Sequence, residues 1–248
     1  YIRDNRLSNI ISNIILPKTV YDKCVSNYTG PKDKLDIYLW IILFRYQLLG
    51  SNNHQLGVLP KILLKMKQDF GLNFECFASS INFTLSNFCS IYYDVEQYFG
   101  SKGSFYNLNP ISGTYGFNPP YQKDIIDEGV YRIFTCLNKS ELNSDNLTFI
   151  ITIPIWDLEG KKKMKELFKT EFDYPQIDYG EFEIIKKIKE SKYFRGLCMI
   201  PKEKFTYIDH NFHLYKNTTI QNTYIIVLST IKEIDYIERI DKYDFSKS

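Results

Sequence analysis

Asn118-Pro119-Pro120-Tyr121 is a run whose residue types and order suggest a chemistry. Two consecutive prolines cannot continue a helix or occupy a central strand, because neither donates a backbone N–H. They would, however, hold a carbonyl in a fixed direction. Such a site suits an exocyclic amino group that must be made nucleophilic, since the adenine nitrogen lone pair is delocalised into its ring. The Asn118 side-chain oxygen and the Pro119 carbonyl can accept the two amino hydrogens, leaving the nitrogen pyramidal and aimed at a methyl donor. Pro120 rigidifies the turn, and the ring of Tyr121 offers a stacking face worth ~1–3 kcal/mol to an extruded base. This catalysis works by positioning and electrostatics, without a covalent nucleophile. The plainer alternative is a proline-rich turn beside a core aromatic.

The elements around the run can be read from periodicity. "RLSNIISNIILP" predicts a helix stopping at Pro17, "DKLDIYLWIILFRYQLLG" a second ending at Gly50, and "PKILLKMKQDFG" a third bounded by Pro60 and Gly71. "LNFECFAS" then reads as a short buried strand, and "INFTLSNFCSIYYDVEQYFG" as a long helix closing at Gly100. The motif lies on an extended segment before a helix in "KDIIDEGVYRIFTCL". "LTFIITIPIW" and "TYIIVLST" are buried strands, "FTYIDHNFHLYKN" a hairpin, and "IKEIDYIERIDKYDF" a helix or frayed tail. Alternating strands and helices predict an α/β fold with a mostly parallel sheet and ligands at the strand C-terminal ends. We divide the chain into a helical segment (1–70), a core (71–235) and a C-terminal tail (236–248).

Composition narrows the classes. The 248 residues are 44% hydrophobic and 16% aromatic, enough for a sizeable core. A formal charge of +2 excludes a histone-like polycation, so any nucleic-acid surface is a local patch. Five scattered cysteines without a C-x-x-C argue against a disulfide framework or zinc module and suit a reducing compartment. "LDIYLWIILF" is too short to span a bilayer. Tyr1 in place of an initiator Met is expected for a piece of a longer protein.

"FECFASSIN", "YFGSKG", "PISGTYGFNPPY" and "FIITIPIW", taken in order, resemble the catalytic domain of the phosphorylated-CTD-interacting-factor family, the cap-specific adenosine N6-methyltransferases. "RYQ" at Arg45–Gln47 and "NTYIIVL" extend the likeness to roughly residues 15–230. Tyr121 departs from the Phe of that family, though both rings can stack. The family's N-terminal WW domain finds no counterpart, which puts polymerase recruitment by this chain in doubt. The resemblance implies a Rossmann-like class I fold with an N-terminal helical segment, S-adenosylmethionine as cofactor, and capped RNA as partner. It also implies a nuclear location, and contact with the polymerase tail through a region outside this chain. On the cofactor side it implies Glu75, Phe77, Ala78, Gly100 and Asn118. Glu75 would accept from ribose hydroxyls or the methionyl ammonium, and Gly100 with Gly103 would shape the cofactor loop. Read without the family, Glu75 is better taken as a capping or surface carboxylate, and the glycines are equally a helix C-cap and a turn.

Trp156, Lys161, Lys162 and Arg195 are the candidate RNA contacts, Lys161 and Lys162 belonging to a basic cluster with Lys163 and Lys165 just after a strand. A lysine run is also an ordinary solvated face, and a tryptophan at a strand end is commonly packing. Asp209-His210-x-x-His213 is half a metal site with no third ligand nearby in sequence; no metal is expected. The resulting expectation is N6-methylation of adenosine in RNA, at the first nucleotide beside a cap. Two rivals stand beside it: an adenine methyltransferase acting on DNA or internal RNA, and a non-enzymatic RNA- or polymerase-binding protein of the same fold.

Overall fold

The computed structural model describes residues 16–49, 56–155, 183–210, 216–219 and 222–246. Helices α1 (Lys18–Asn27) and α2 (Leu35–Leu48) lead to strand β1 (Leu56–Val58) and helix α3 (Pro60–Phe70). The core continues with β2 (Leu72–Glu75), β3 (Asn87–Phe88), the one-turn α4 (Tyr93–Glu96), β4 (Gly113–Phe117), α5 (Lys123–Leu142) and β5 (Leu147–Pro154). The described chain then runs through α6 (Glu183–Glu190), β6 (Phe194–Ile200), β7 (Tyr207–Asp209), β8 (Lys216–Thr218), β9 (Thr223–Ser229) and α7 (Tyr236–Ile240).

Six strands form the main sheet in the order β3-β2-β4-β5-β9-β6. β3, β2, β4 and β5 pair in parallel, while β9 is antiparallel to both β5 and β6. Every residue of β5 is buried, as expected for a central strand covered on both faces. On one face α5 and α6 contribute Ile126, Val130, Ile133, Leu137 and Ile188 against Phe117, Phe149 and Ile151. On the other, Ile62, Met66 and Phe70 of α3 and Ile240 of α7 pack on Leu72, Ile150, Ile225 and Val227. Helices α1 and α2 make a separate cluster with Ile81, Val95 and Phe99. A second sheet, β1-β7-β8, is antiparallel throughout.

Helix α3 starts at Pro60 and ends at Gly71, whose φ of 68° supplies the left-handed cap. The "LNFECFAS" and "LTFIITIPIW" strands, the "TYIIVLST" strand and the β7–β8 hairpin form as read. The long helix expected over Ile81–Gly100 does not. That span holds turns, the two-residue β3, α4 and a single 3-10 turn, Gln97–Phe99, closed by Gly100 at φ 103°. A buried carboxylate prevents the helix: Glu75 accepts the N–H groups of Thr84 and Leu85, both at 2.6 Å, which a helix would have turned to its own carbonyls. "IKEIDYIERIDKYDF" is not frayed, because Tyr243 and Phe245 are buried beside α7. Apart from Leu16 and Pro17, the "RLSNIISNIILP" helix lies outside the described residues.

Candidate active site

The site forms where β2 and β4, neighbours in the sheet, end together. Glu75 is level with Gly116, and the Cys76 N–H donates to the Gly116 carbonyl at 2.8 Å. Asn118 follows two residues later. From here the chain passes outward to β3 on one side and to β5 on the other, so a crevice opens between the two loops. It encloses about 400 Å³, within the range of small-molecule sites, between Phe77, Ala78, Ser90, Phe105, Tyr106 and the whole Asn118–Tyr121 run. The described lining contains no Asp, Glu, Lys, Arg or His. A smaller cavity of about 40 Å³ adjoins it, bounded by Glu75, Thr84, Asn118 and Thr152.

The Asn118 amide is held at both ends. Its Nδ2 donates to the Leu56 carbonyl of β1 at 3.2 Å, and its Oδ1 accepts the Tyr121 hydroxyl at 2.9 Å. The Gln122 N–H closes onto the Pro120 carbonyl at 2.7 Å, tightening the turn before α5. Tyr121 is partly buried against Tyr207 of β7, ring centroids 6.0 Å apart at 70°. Burial raises its phenol well above the ordinary value, so it stays protonated.

The loop after β2 has no glycine-rich sequence; two buried carboxylates shape it instead. Glu75 takes the Thr84 and Leu85 N–H groups, and burial pushes its carboxyl up to about 7 against those hydrogen bonds and the nearby Lys23. Glu96, fully buried, accepts from Ser80 N at 2.7 Å, Ser80 Oγ at 3.0 Å, Tyr46 Oη at 2.8 Å and Tyr92 N at 3.3 Å. Burial raises its carboxyl too. Behind the opposite wall the Gly103 carbonyl takes the N–H of Ser90, a lining residue, at 2.9 Å, and Gly103 itself sits at φ 87° against the ring of Tyr93.

Phe77, Ala78, Asn118, Pro119, Pro120 and Tyr121 thus come together in one cleft. Glu75 lines the small cavity behind it, and Gly100 caps the 3-10 turn outside the lining. Arg195 requires a correction. It follows Phe194, which is level with Leu228 and through it with Phe149, near the start of β5 and three strands from β4. Its guanidinium donates to the carbonyls of Lys192, Phe194 and Ile231, so it closes a loop at the opposite sheet edge and does not reach the cleft. Trp156, Lys161, Lys162 and His213 lie outside the described residues. Among those described, no group of three His, Cys, Asp or Glu could hold a metal ion. Leu56, Tyr207 and Glu96 are site residues that sequence reading missed; only the apolar alternation of their short strands, or a lone acid in "DVEQYF", marked them.

A family profile described as "Phosphorylated CTD interacting factor 1 WW domain" matches residues 18–179. The chain belongs to the phosphorylated CTD interacting factor 1 family. The described part of the matched span comprises α1–α5 and β1–β5, so the label names the family and not a small antiparallel module here. Two members named mRNA (2'-O-methyladenosine-N(6)-)-methyltransferase, from Mus musculus and Homo sapiens, are each 30% identical to this chain over 151 residues. The match covers 58% of this chain but only 21% of each relative.

Proposed function

We propose that this chain transfers a methyl group from S-adenosylmethionine to N6 of an adenosine in RNA, specifically the 2'-O-methyladenosine next to a cap. The observation that carries the reading is the Asn118 amide, clamped at the wall of a cleft where β2 and β4 end, with Nδ2 committed to Leu56. The relatives named for this reaction support it. So does the strand order, in which β9 alone runs against the other five strands of the main sheet, as a Rossmann-like class I methyltransferase requires.

The donor set fits S-adenosylmethionine. Phe77, Ala78 and Phe105 would offer it apolar surface, and Ser90, Ser104 and Asn82 polar groups. Bound there, it supplies a sulfonium methyl. Asn118 Oδ1 and the Pro119 carbonyl accept the two amino hydrogens and aim the nitrogen lone pair, while Tyr121 carries the base. A described lining without ionised side chains would suit a reaction that passes a positive charge on and creates none. The methylated nitrogen is acidic and releases its proton to solvent, leaving a neutral N6-methyl amine.

The test is transfer of labelled methyl to three substrates: capped RNA beginning with 2'-O-methyladenosine, the same RNA uncapped, and single-stranded DNA containing adenine. Label on the capped RNA alone, lost in Asn118→Ala, is the expected result. Equal labelling of uncapped RNA or DNA would replace it with a broader adenine methyltransferase. No transfer by folded protein that still binds capped RNA would leave a binding protein.

A further inference from the structure

The three-residue strand β1 stands outside the main sheet, yet it touches the residue that would hold the reacting amine. Asn118 Nδ2 donates to the Leu56 carbonyl at 3.2 Å. A carbonyl can only accept, so this bond keeps the Asn118 nitrogen turned to β1 and leaves its oxygen for the cleft. That oxygen takes the Tyr121 hydroxyl at 2.9 Å and has a second lone pair for an amino hydrogen. The Leu56 bond lies at the long end of the range for an N–H donor to oxygen, so a further few tenths of an ångström would break it. Whatever fixes the place of β1 therefore bears on the chemistry.

Gly57 follows Leu56 and is level with Ile208 of β7. It does not hold the left-handed conformation that usually selects glycine. Space selects it instead. A Cβ at residue 57 would lie 3.2 Å from His210 Nε2, 3.4 Å from His210 Cδ2 and 3.7 Å from Ile208 Cγ2. His210 is buried, and a close-packed interior does not yield freely to an added methyl group. The imidazole thus lies on the bare backbone of β1, one residue from the carbonyl that Asn118 uses. Gly57 also borders the small cavity that Asn118 lines, which is space into which a displaced β1 can shift.

We infer that Gly57 and His210 are positioning residues for methyl transfer: their close approach seats β1, and so holds the Leu56 carbonyl where it keeps the Asn118 oxygen toward the adenine amino group. A methyl group added at residue 57, or an imidazole taken from residue 210, unseats the strand. The inference rests on the adenine-methylation reading.

Gly57→Ala and His210→Ala test it, singly and together. Each single variant disturbs the contact from one side, whereas in the double variant the new methyl group refills part of the space the imidazole left. Each single variant should lose about tenfold in kcat, with the S-adenosylmethionine Kd within about twofold of wild type. The double variant should recover to within about threefold of wild-type kcat. In protein labelled with nitrogen-15 asparagine, the Asn118 side-chain amide is identified as the signal missing from Asn118→Asp. It should move in both single variants and return toward its wild-type position in the double. An unmoved signal, wild-type kcat in the single variants, or a double variant as impaired as the worse single overturns the inference. So does a loss of cofactor affinity that accounts for the whole rate change. Should one single variant not fold, the other is judged by the same two readouts. Wild-type protein inactive on every adenine substrate would overturn the methylation reading instead, and the amide signal would still judge the seating of β1.

Discussion

Gly129 of α5 lies against the ring of Phe117, so close that a Cβ at residue 129 would collide with that ring. Phe117 is the last residue of β4 and immediately precedes Asn118. A glycine inside a helix ordinarily costs about 1 kcal/mol relative to alanine, yet here it sets the distance between helix and sheet under the Asn118–Tyr121 run. Gly129→Ala should therefore destabilise the fold by about 1–3 kcal/mol in denaturant titration, against the usual sign for such a change. Methyl transfer should fall as well, because displacing Phe117 moves Asn118. An alanine variant as stable as wild type would mean that α5 can slide.

Two buried groups give opposing responses to pH. Glu75 has a folded value of about 7 against an ordinary 4.5, chiefly through burial. Between those values the folded chain holds a proton that the unfolded chain has lost, so stability falls as pH rises and the loss is complete above about 7. His210 is pushed down from 6.5 to about 4, by burial first and then by Lys23. There the unfolded chain takes up a proton that the fold refuses, so stability falls as pH drops. Over roughly pH 4.5–6.5 the two slopes oppose each other. In urea titrations across that range, Glu75→Gln should leave the His210 slope exposed, stability rising with pH. At pH 8 the variant should exceed wild type by on the order of 1–3 kcal/mol. A profile parallel to wild type would show that Glu75 ionises freely in the fold.

Glu96 joins the loop after β2 to α2 and α4. Glu96→Ala leaves the Ser80 N–H, the Tyr46 hydroxyl and the Tyr92 N–H without their acceptor. The expected cost is about 3 kcal/mol, with a several-fold loss of S-adenosylmethionine affinity by calorimetry. Glu96→Gln, which retains an acceptor oxygen, should recover most of the stability. Equal damage from both would point to the charge instead of the hydrogen bonds.

Arg195 and the cleft should be independent. Arg195→Ala removes donors to three loop carbonyls and is expected to lower thermal stability by a few degrees. RNA affinity and kcat should stay within twofold of wild type, measured below the transition. A tenfold loss of RNA binding would mean that the nucleic acid wraps to the far edge of the sheet.

Much of the main sheet was legible because β2, β5 and β9 are apolar runs bounded by turn residues, and because α3 carries both its proline start and its glycine stop. Asn118–Tyr121 stood out since two prolines have few structural uses. What resisted reading was decided by partners distant in sequence. No local signal says that Glu75 will take two amides at residues 84 and 85 and keep that stretch from coiling. The three-residue β1 carries too little periodicity to announce a strand, and nothing local says that it pairs with β7 of the hairpin. β6 was missed for a related reason: "FRGLCMI" mixes charge and glycine with its apolar residues, and its partner β9 supplies the order that its own sequence lacks.

The pairing of Leu56 with Asp209 joins residues roughly 150 apart in the chain, and both groups that clamp Asn118 depend on it. During synthesis the parallel strands and the Asn-Pro-Pro-Tyr turn emerge well before Tyr207 and Thr223. A nascent chain can thus hold the Asn118–Tyr121 turn before Tyr207 is there to pack against Tyr121. The cleft is therefore finished only when the last strands dock, and its order of assembly differs from the order in which its residues are made.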